Sequence, residues 1–328
     1  MKKSMIFVSV VCALLLLNAC SAPRLNLFDT APKPLQEYTL EGTGKDKILL
    51  IPLNGLISDM PKRGLFGASP SLVEQIVILL NKAQADPQIK ALLLKVNSSG
   101  GTITASDILY QELSAYKAKT GNKVSVIMMD VAASGAYYLS LPADMIMAHP
   151  TTITGSVGVI LLRPKVNQLM DKVGFNVEIT KFGSHKDMGS PYRPTSSDEK
   201  FLMQKTVDAF GNRFVNLVSR HRNLDDQALK EVATGRVFIA DEALQLKLID
   251  KIGYIRDAVR ETKKIAGLSD DARIVVYRRK DMPEENFYRT AQAASDTASI
   301  SLLNIDLPDI LSAGAGFYYL WPGGLHSD

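Results

Sequence analysis

A serine set among small residues, just past an apolar run, is where chemistry could sit in this 328-residue chain. Val124-Ser125-Val126-Ile127-Met128-Met129 is short, apolar and partly β-branched, as a strand buried on both faces should be. Ala132-Ala133-Ser134-Gly135-Ala136 follows, and a helix is expected to begin there. Small neighbours let a peptide backbone approach a hydroxyl and leave the first helical amides pointing outward. The chemistry this suits is nucleophilic attack by Ser134 Oγ, with the Gly135 amide as one donor to the resulting oxyanion. The same serine could equally be the N-cap of a buried helix. A second apolar run, Ala91-Leu92-Leu93-Leu94-Lys95-Val96, leads into Asn97-Ser98-Ser99-Gly100-Gly101-Thr102. If the two runs are neighbouring parallel strands, the Gly101 amide stands beside that of Gly135 and a two-donor pocket forms over Ser134. Gly-Gly alone more often marks an ordinary turn.

A serine hydroxyl is a weak nucleophile until some group takes its proton. The residues alone leave that base open among His149, His185, His221 and His326. His221 lies in the basic run Arg220-His221-Arg222 and reads as exposed, and His149 before Pro150 reads as structural. The chain has two cysteines, Cys12 and Cys20, both near its start, so the chemistry is not thiol-based. No His/Cys/Asp/Glu set has ligand spacing, so neither a metal nor another cofactor is expected. A net charge of +4 with no long Lys/Arg block argues against nucleic acid as a partner.

The elements that must position these residues follow from strand-helix alternation. Apolar strands are expected at Lys47–Leu53, Leu92–Val96, Val124–Met129 and Asp144–Met147. Helices are expected from Ser71 to about Asp86, from about Ser106 to Tyr116, and from Ser134. Ser71 with Glu74 is a capping-box pattern. This alternation describes an α/β fold with a parallel sheet, in which sites form at the carboxyl ends of strands. A helix near Val166–Val173, a strand at Asn176–Lys181 and an irregular Phe182–Ser196 come next. A strongly helical C-terminal part follows from Ser197, and a late strand is expected at Arg273–Tyr277. The aromatic run Phe317-Tyr318-Tyr319-Leu320-Trp321 reads as a packed tail, or as a contact with a neighbouring subunit or a membrane surface.

Lys2-Lys3 ahead of an apolar run from Met5 to Leu17 suits a signal peptide and is short for a transmembrane span. Leu17-Asn18-Ala19-Cys20 is the pattern of a bacterial lipobox, which would make Cys20 a lipidated first residue. The expected organisation is therefore a signal peptide over 1–19, a tether over 20–45, a catalytic domain over 46–265, and a C-terminal strand and tail over 266–328. The body would lie in the cell envelope outside the cytoplasm, held to a membrane by lipid.

The chain resembles the signal peptide peptidase A (protease IV) family of serine peptidases, which share the crotonase-like fold of the Clp protease. The matching pieces are Asn97-Ser98-Ser99-Gly100-Gly101, Ala133-Ser134-Gly135-Ala136-Tyr137-Tyr138, Ala143 to Pro150, Thr152 to Val159, His185-Lys186-Asp187 with Ser190-Pro191, and Gly235-Arg236-Val237. They fall in order from about residue 46 to about 265. Ser99 stands where the family usually has proline, and Ala136 where it has glycine. The resemblance implies a Ser134/Lys186 dyad, oxyanion donors at Gly101 and Gly135, and Ser156 orienting the lysine amine. It also implies hydrophobic, signal-peptide-like substrates and a ring-like homo-oligomer whose dyad residues can come from adjacent subunits. The competing readings are a crotonase-type acyl-CoA enzyme and a non-catalytic scaffold lipoprotein.

Overall fold

The computed structural model describes residues 34–64, 67–278, 286–288 and 315–324. The expected signal peptide over 1–19, Cys20, the first part of the tether and His326 lie outside the described residues.

In chain order the elements begin with β1 (Gln36–Glu41), β2 (Lys47–Asn54) and a small hairpin, β3 (Lys62–Gly64) with β4 (Gly67–Ser69). Then come α1 (Leu72–Ala85), β5 (Ile89–Ser98), β6 (Gly100–Thr102), α2 (Ile103–Thr120), β7 (Lys123–Ala133) and α3 (Gly135–Ser140). β8 (Met145–Ala148), β9 (Ile153–Gly155), β10 (Ile160–Leu162) and α4 (Asn167–Val173) precede the long α5 (Ser197–His221). The chain continues through α6 (Asp226–Val232), β11 (Val237–Ile239), α7 (Ala240–Gln245), β12 (Lys251–Ile252), α8 (Ile255–Ile265), β13 (Arg273–Arg278) and β14 (Gly316–Leu320). The result is the expected α/β class with a mostly parallel sheet and a helical C-terminal part.

The main sheet runs β1-β13-β2-β5-β7-β8-β12. Its centre, β13-β2-β5-β7-β8, is parallel throughout. Alternation along the strands divides the core into two layers. Leu49, Ile51, Leu53, Leu92, Leu94, Val126 and Met128 face α1, α2, α3 and α5. Ile48, Leu50, Leu93 and Ile127 face α8 and Phe287. Both faces are covered, which is why these strands read as continuous apolar runs. The capping box at α1 is formed as expected: Ser71 Oγ accepts from Glu74 N, and the Glu74 carboxylate accepts from Ser71 N.

Two features of the strands place the site. β7 carries an irregularity in its pairing with β5, between the Val96–Met128 and Ser98–Ala132 pairs. Before it, β7 pairs with β8; beyond it, Val131–Ala133 pairs with β9. The end of β7 thereby swings away from β8 and delivers Ser134 onto a short second partner. β6 leaves the main sheet altogether and joins a three-stranded sheet of order β10-β14-β6.

Two stretches differ from the sequence reading. Gln36–Glu41, inside the expected tether, is a strand paired antiparallel with β13, and β13 itself lies beside β2. The strand expected at Asn176–Lys181 does not form, and those residues are exposed. Its alternating Val177 and Ile179 have the right pattern for a strand, but no described strand edge pairs with them, and a lone strand leaves its backbone groups unpaired.

Candidate active site

Ser134 sits between β7 and α3 with φ 55° and ψ −116°. This is a conformation that costs a residue with a side chain on the order of 1–3 kcal/mol, and such strain collects at functional sites. It persists because both sides are pinned: Ser134 N donates to Gly155 O at 2.7 Å, and Ser134 O accepts from Tyr138 N at 2.9 Å. Ser134 makes no side-chain cap bond, so the N-cap reading of its hydroxyl does not hold. Its Oγ is buried with no hydrogen-bond partner, a costly state for a structural hydroxyl.

The two glycine turns do meet. An added Cβ on Gly135 would stand 3.2 Å from Gly101 N, and one on Gly100 would stand 2.8 Å from Gly135 N. Ile57 bridges one side of Gly101: Ile57 N donates to Gly100 O and Thr102 N donates to Ile57 O, each at 2.9 Å. The Gly101 amide therefore faces the other way, towards Gly135 and β14. No larger residue fits here, because a Cβ on Gly101 would lie 1.9 Å from Ile57 O. Ser99 and Ala136, where the chain departs from the usual pattern, are both buried within this arrangement.

Ser156 follows directly on Gly155, whose carbonyl holds the Ser134 amide, and also has positive φ, 51°. Ser134 and Ser156 are two of the three non-glycine residues with positive φ among the described residues. Backbone strain at both serines is a sign that composition and spacing do not reveal. Ser156 is buried, and its amide donates to Arg236 O at 2.9 Å.

Lys186 is not brought to Ser134 within this chain: it is exposed, and Ser134 Oγ has no partner within hydrogen-bond reach. Its loop is nevertheless braced. Asp187, the next residue, accepts from Lys181 and from Arg193 Nε at 2.7 Å, and Arg193 also pairs with Glu199. These partners hold the Asp187 carboxyl well below the usual carboxylate range. Around the loop, Phe175, Val177, Ile179, Phe182 and Met188 are exposed. The three histidines among the described residues are occupied elsewhere. His185 pairs with Asp198 at 2.7 Å, His149 with Thr151 at 2.9 Å, and His221 with the Tyr110 hydroxyl at 2.8 Å.

The helix after Ser134 is anchored from within. Tyr137 is fully buried and its hydroxyl donates to Leu248 O at 2.8 Å. Tyr137→Phe leaves that carbonyl unsatisfied, and a loss of about 1–3 kcal/mol is expected in urea unfolding. No group of three or more His, Cys, Asp or Glu that could hold a metal occurs among the described residues. None of the described helices is long and apolar enough to cross a membrane.

The model of peptidase family S49 matches residues 116–269. An Enterococcus faecium protein assigned as a signal peptide peptidase SppA is 34% identical over 293 residues, covering 84% of this chain and 85% of that protein. Protease 4 of Haemophilus influenzae is 29% identical over 269 residues, 81% of this chain and 42% of its own length. Among solved structures, a ClpP1 variant from Listeria monocytogenes is similar with a TM-score of 0.42 and 15% identity, covering 64% of this chain and 94% of its own. A membrane-bound stomatin-specific protease gives 0.41 and 15%, covering 67% and 86%.

Proposed function

This chain belongs to peptidase family S49 and is a serine protease of the signal peptide peptidase kind, and from that premise we propose that Ser134 is its nucleophile and Lys186 the general base. Neutral Lys186 takes the Ser134 proton as Oγ attacks a peptide carbonyl. The amides of Gly101 and Gly135 hold the oxyanion, and the ammonium then protonates the leaving amine. Water repeats the sequence on the acyl-enzyme. Ser156 orients the lysine amine. The observation that carries this reading is the unpaired Ser134 hydroxyl, held at a strained turn against the backbones of Gly101 and Gly135. Family membership removes the ground for the acyl-CoA reading.

A lysine base must lose its hydration, and a single copy leaves Lys186 in water. The exposed apolar residues around its loop are the kind of surface that a second copy covers. The working enzyme is accordingly a homo-oligomer in which Lys186 of one subunit meets Ser134 of its neighbour. We place that assembly in the cell envelope, held by lipid on Cys20, acting on hydrophobic peptides such as cleaved signal peptides. The test is labelling of the purified protein with a fluorophosphonate, followed by mass mapping. Ser134 is expected to carry the label, and Lys186→Ala to slow it strongly. Label on another serine, or equal rates in the two proteins, removes the dyad.

A further inference from the structure

Ser134 and the Gly101 amide arrive on different strands, so something must fix the distance between them. β5 runs on to Gly100 and Gly101, and β7 runs on to Ser134. The two strands are in register at the Val96–Met128 pair and again at the Ser98–Ala132 pair, so Asn97 alone on β5 faces Met129, Asp130 and Val131 on β7. Bulges of this kind re-aim the chain beyond them and gather beside active sites. They also take backbone groups out of the ladder, and each such group needs another partner.

Side chains supply those partners from both flanks. From β5, Asn97 Oδ1 accepts from Val131 N at 3.0 Å, and Asn97 Nδ2 donates to Asp130 Oδ2 at 3.3 Å. Ahead of β9, Thr152 is fully buried, and its Oγ1 lies within donating distance of Met128 O at 2.9 Å and Met129 O at 2.5 Å. Thr154 Oγ1, buried as well, donates to Ala132 O at 2.7 Å. Asn97 is pinned in its turn, because its carbonyl accepts from Gly55 N at 3.0 Å. A side chain three residues before Gly100 is thus bonded to the backbone three residues before Ser134. That bond closes the base of the gap between the two turns.

We propose that Asn97 and Thr152 are positioning residues: they clamp the bulge of β7 from its two sides and so set the place of the Ser134 hydroxyl relative to the Gly101 and Gly135 amides. This inference rests on the peptidase reading above and adds to it two residues that act through the backbone of β7. A displacement of about 1 Å at a reacting centre can cost about 10²-fold in rate. Oxyanion donors contribute fully only when they are already in place as the charge develops. Losing one tie at the bulge therefore acts on the chemical step more than on the binding of peptide.

The test measures kcat, KM and the rate of Ser134 labelling by a fluorophosphonate, whose phosphoryl oxygen draws on the same amides. It uses full-chain variants at a temperature where each has the circular dichroism of the parent. Asn97→Ala removes the acceptor for Val131 N, and Thr152→Val removes the hydroxyl at nearly constant shape. Each is expected to lower kcat and the labelling rate at least about tenfold, with KM within about threefold of the parent. Thr152→Ser keeps the hydroxyl, and the exchange Asn97→Asp/Asp130→Asn keeps an acceptor for Val131 N with a donor beside it. Both are expected to stay within about threefold of the parent in all three quantities. Unchanged kcat and labelling in a folded Asn97→Ala or Thr152→Val protein, even with a lowered melting temperature, gives that residue a role in stability alone and overturns its assignment. A loss confined to KM overturns it as well, and in either case the peptidase reading stands. Absence of Ser134 labelling in the parent protein overturns both.

Discussion

Ser134→Gly is expected to lose peptide hydrolysis by at least about 10⁴-fold, on the scale seen when a serine nucleophile is removed, while its melting temperature stays at or above that of the parent. The reason is the backbone. At φ 55° and ψ −116° a side chain is carried at a cost of about 1–3 kcal/mol, which glycine does not bear. The greater freedom of glycine in the unfolded chain offsets roughly 0.5–1 kcal/mol of that relief. Ser134→Ala loses the same activity but keeps the strain, so it should melt below Ser134→Gly. Thermal unfolding followed by circular dichroism, beside hydrolysis of a fluorogenic peptide, reads both quantities. A clear fall in the melting temperature of the glycine variant would show that the turn is not strained. Retained hydrolysis in either variant would assign the nucleophile elsewhere.

Lys186→Ala should lower hydrolysis by about 10²–10⁴-fold, the usual contribution of a positioned general base. The fold should be untouched, because the replaced side chain is exposed. The more decisive result comes from mixing. Inactive Ser134→Ala and inactive Lys186→Ala proteins, dissociated and reassembled together, should recover activity. In a head-to-tail ring with random mixing, about a quarter of the sites then combine an intact Ser134 with an intact Lys186 from the neighbouring subunit. No recovery would mean that serine and amine are drawn from one subunit, and that the loop bearing Lys186 moves to Ser134 within it. His185, the neighbouring alternative, is committed to Asp198, so His185→Ala is expected to leave most activity in place.

Particular residues show how far the sequence could be read. The apolar runs at Leu49–Leu53, Leu92–Val96 and Val124–Met128 announced central strands because both their faces are buried, and burial on both faces leaves a continuous apolar signature. Ser71 and Glu74 announced the start of α1, because a capping box is a local bond pattern between near neighbours. Gly101 and Gly135 were legible as a pair only on the supposition that their strands lie side by side, and the β5–β7 register brings that about. Val177 and Ile179 had the alternation of a strand but lacked a paired edge, a quantity that no local pattern contains.

The amino-acid order alone determined the α/β class, the strand-to-helix turn at Ser134 and the membership signalled by its motifs, because these depend on side-chain type and short spacing. Tertiary structure alone decided three other things: that Ser134 and Ser156 are both held at positive φ, that β7 swings from β8 to β9 to deliver the nucleophile, and that Tyr319, some 185 residues further on, lays its carbonyl against Gly101. Each of these arises from pairing between segments distant in the chain. Such pairing is governed by backbone hydrogen bonds that every residue type can make, and so it leaves little trace in composition or period.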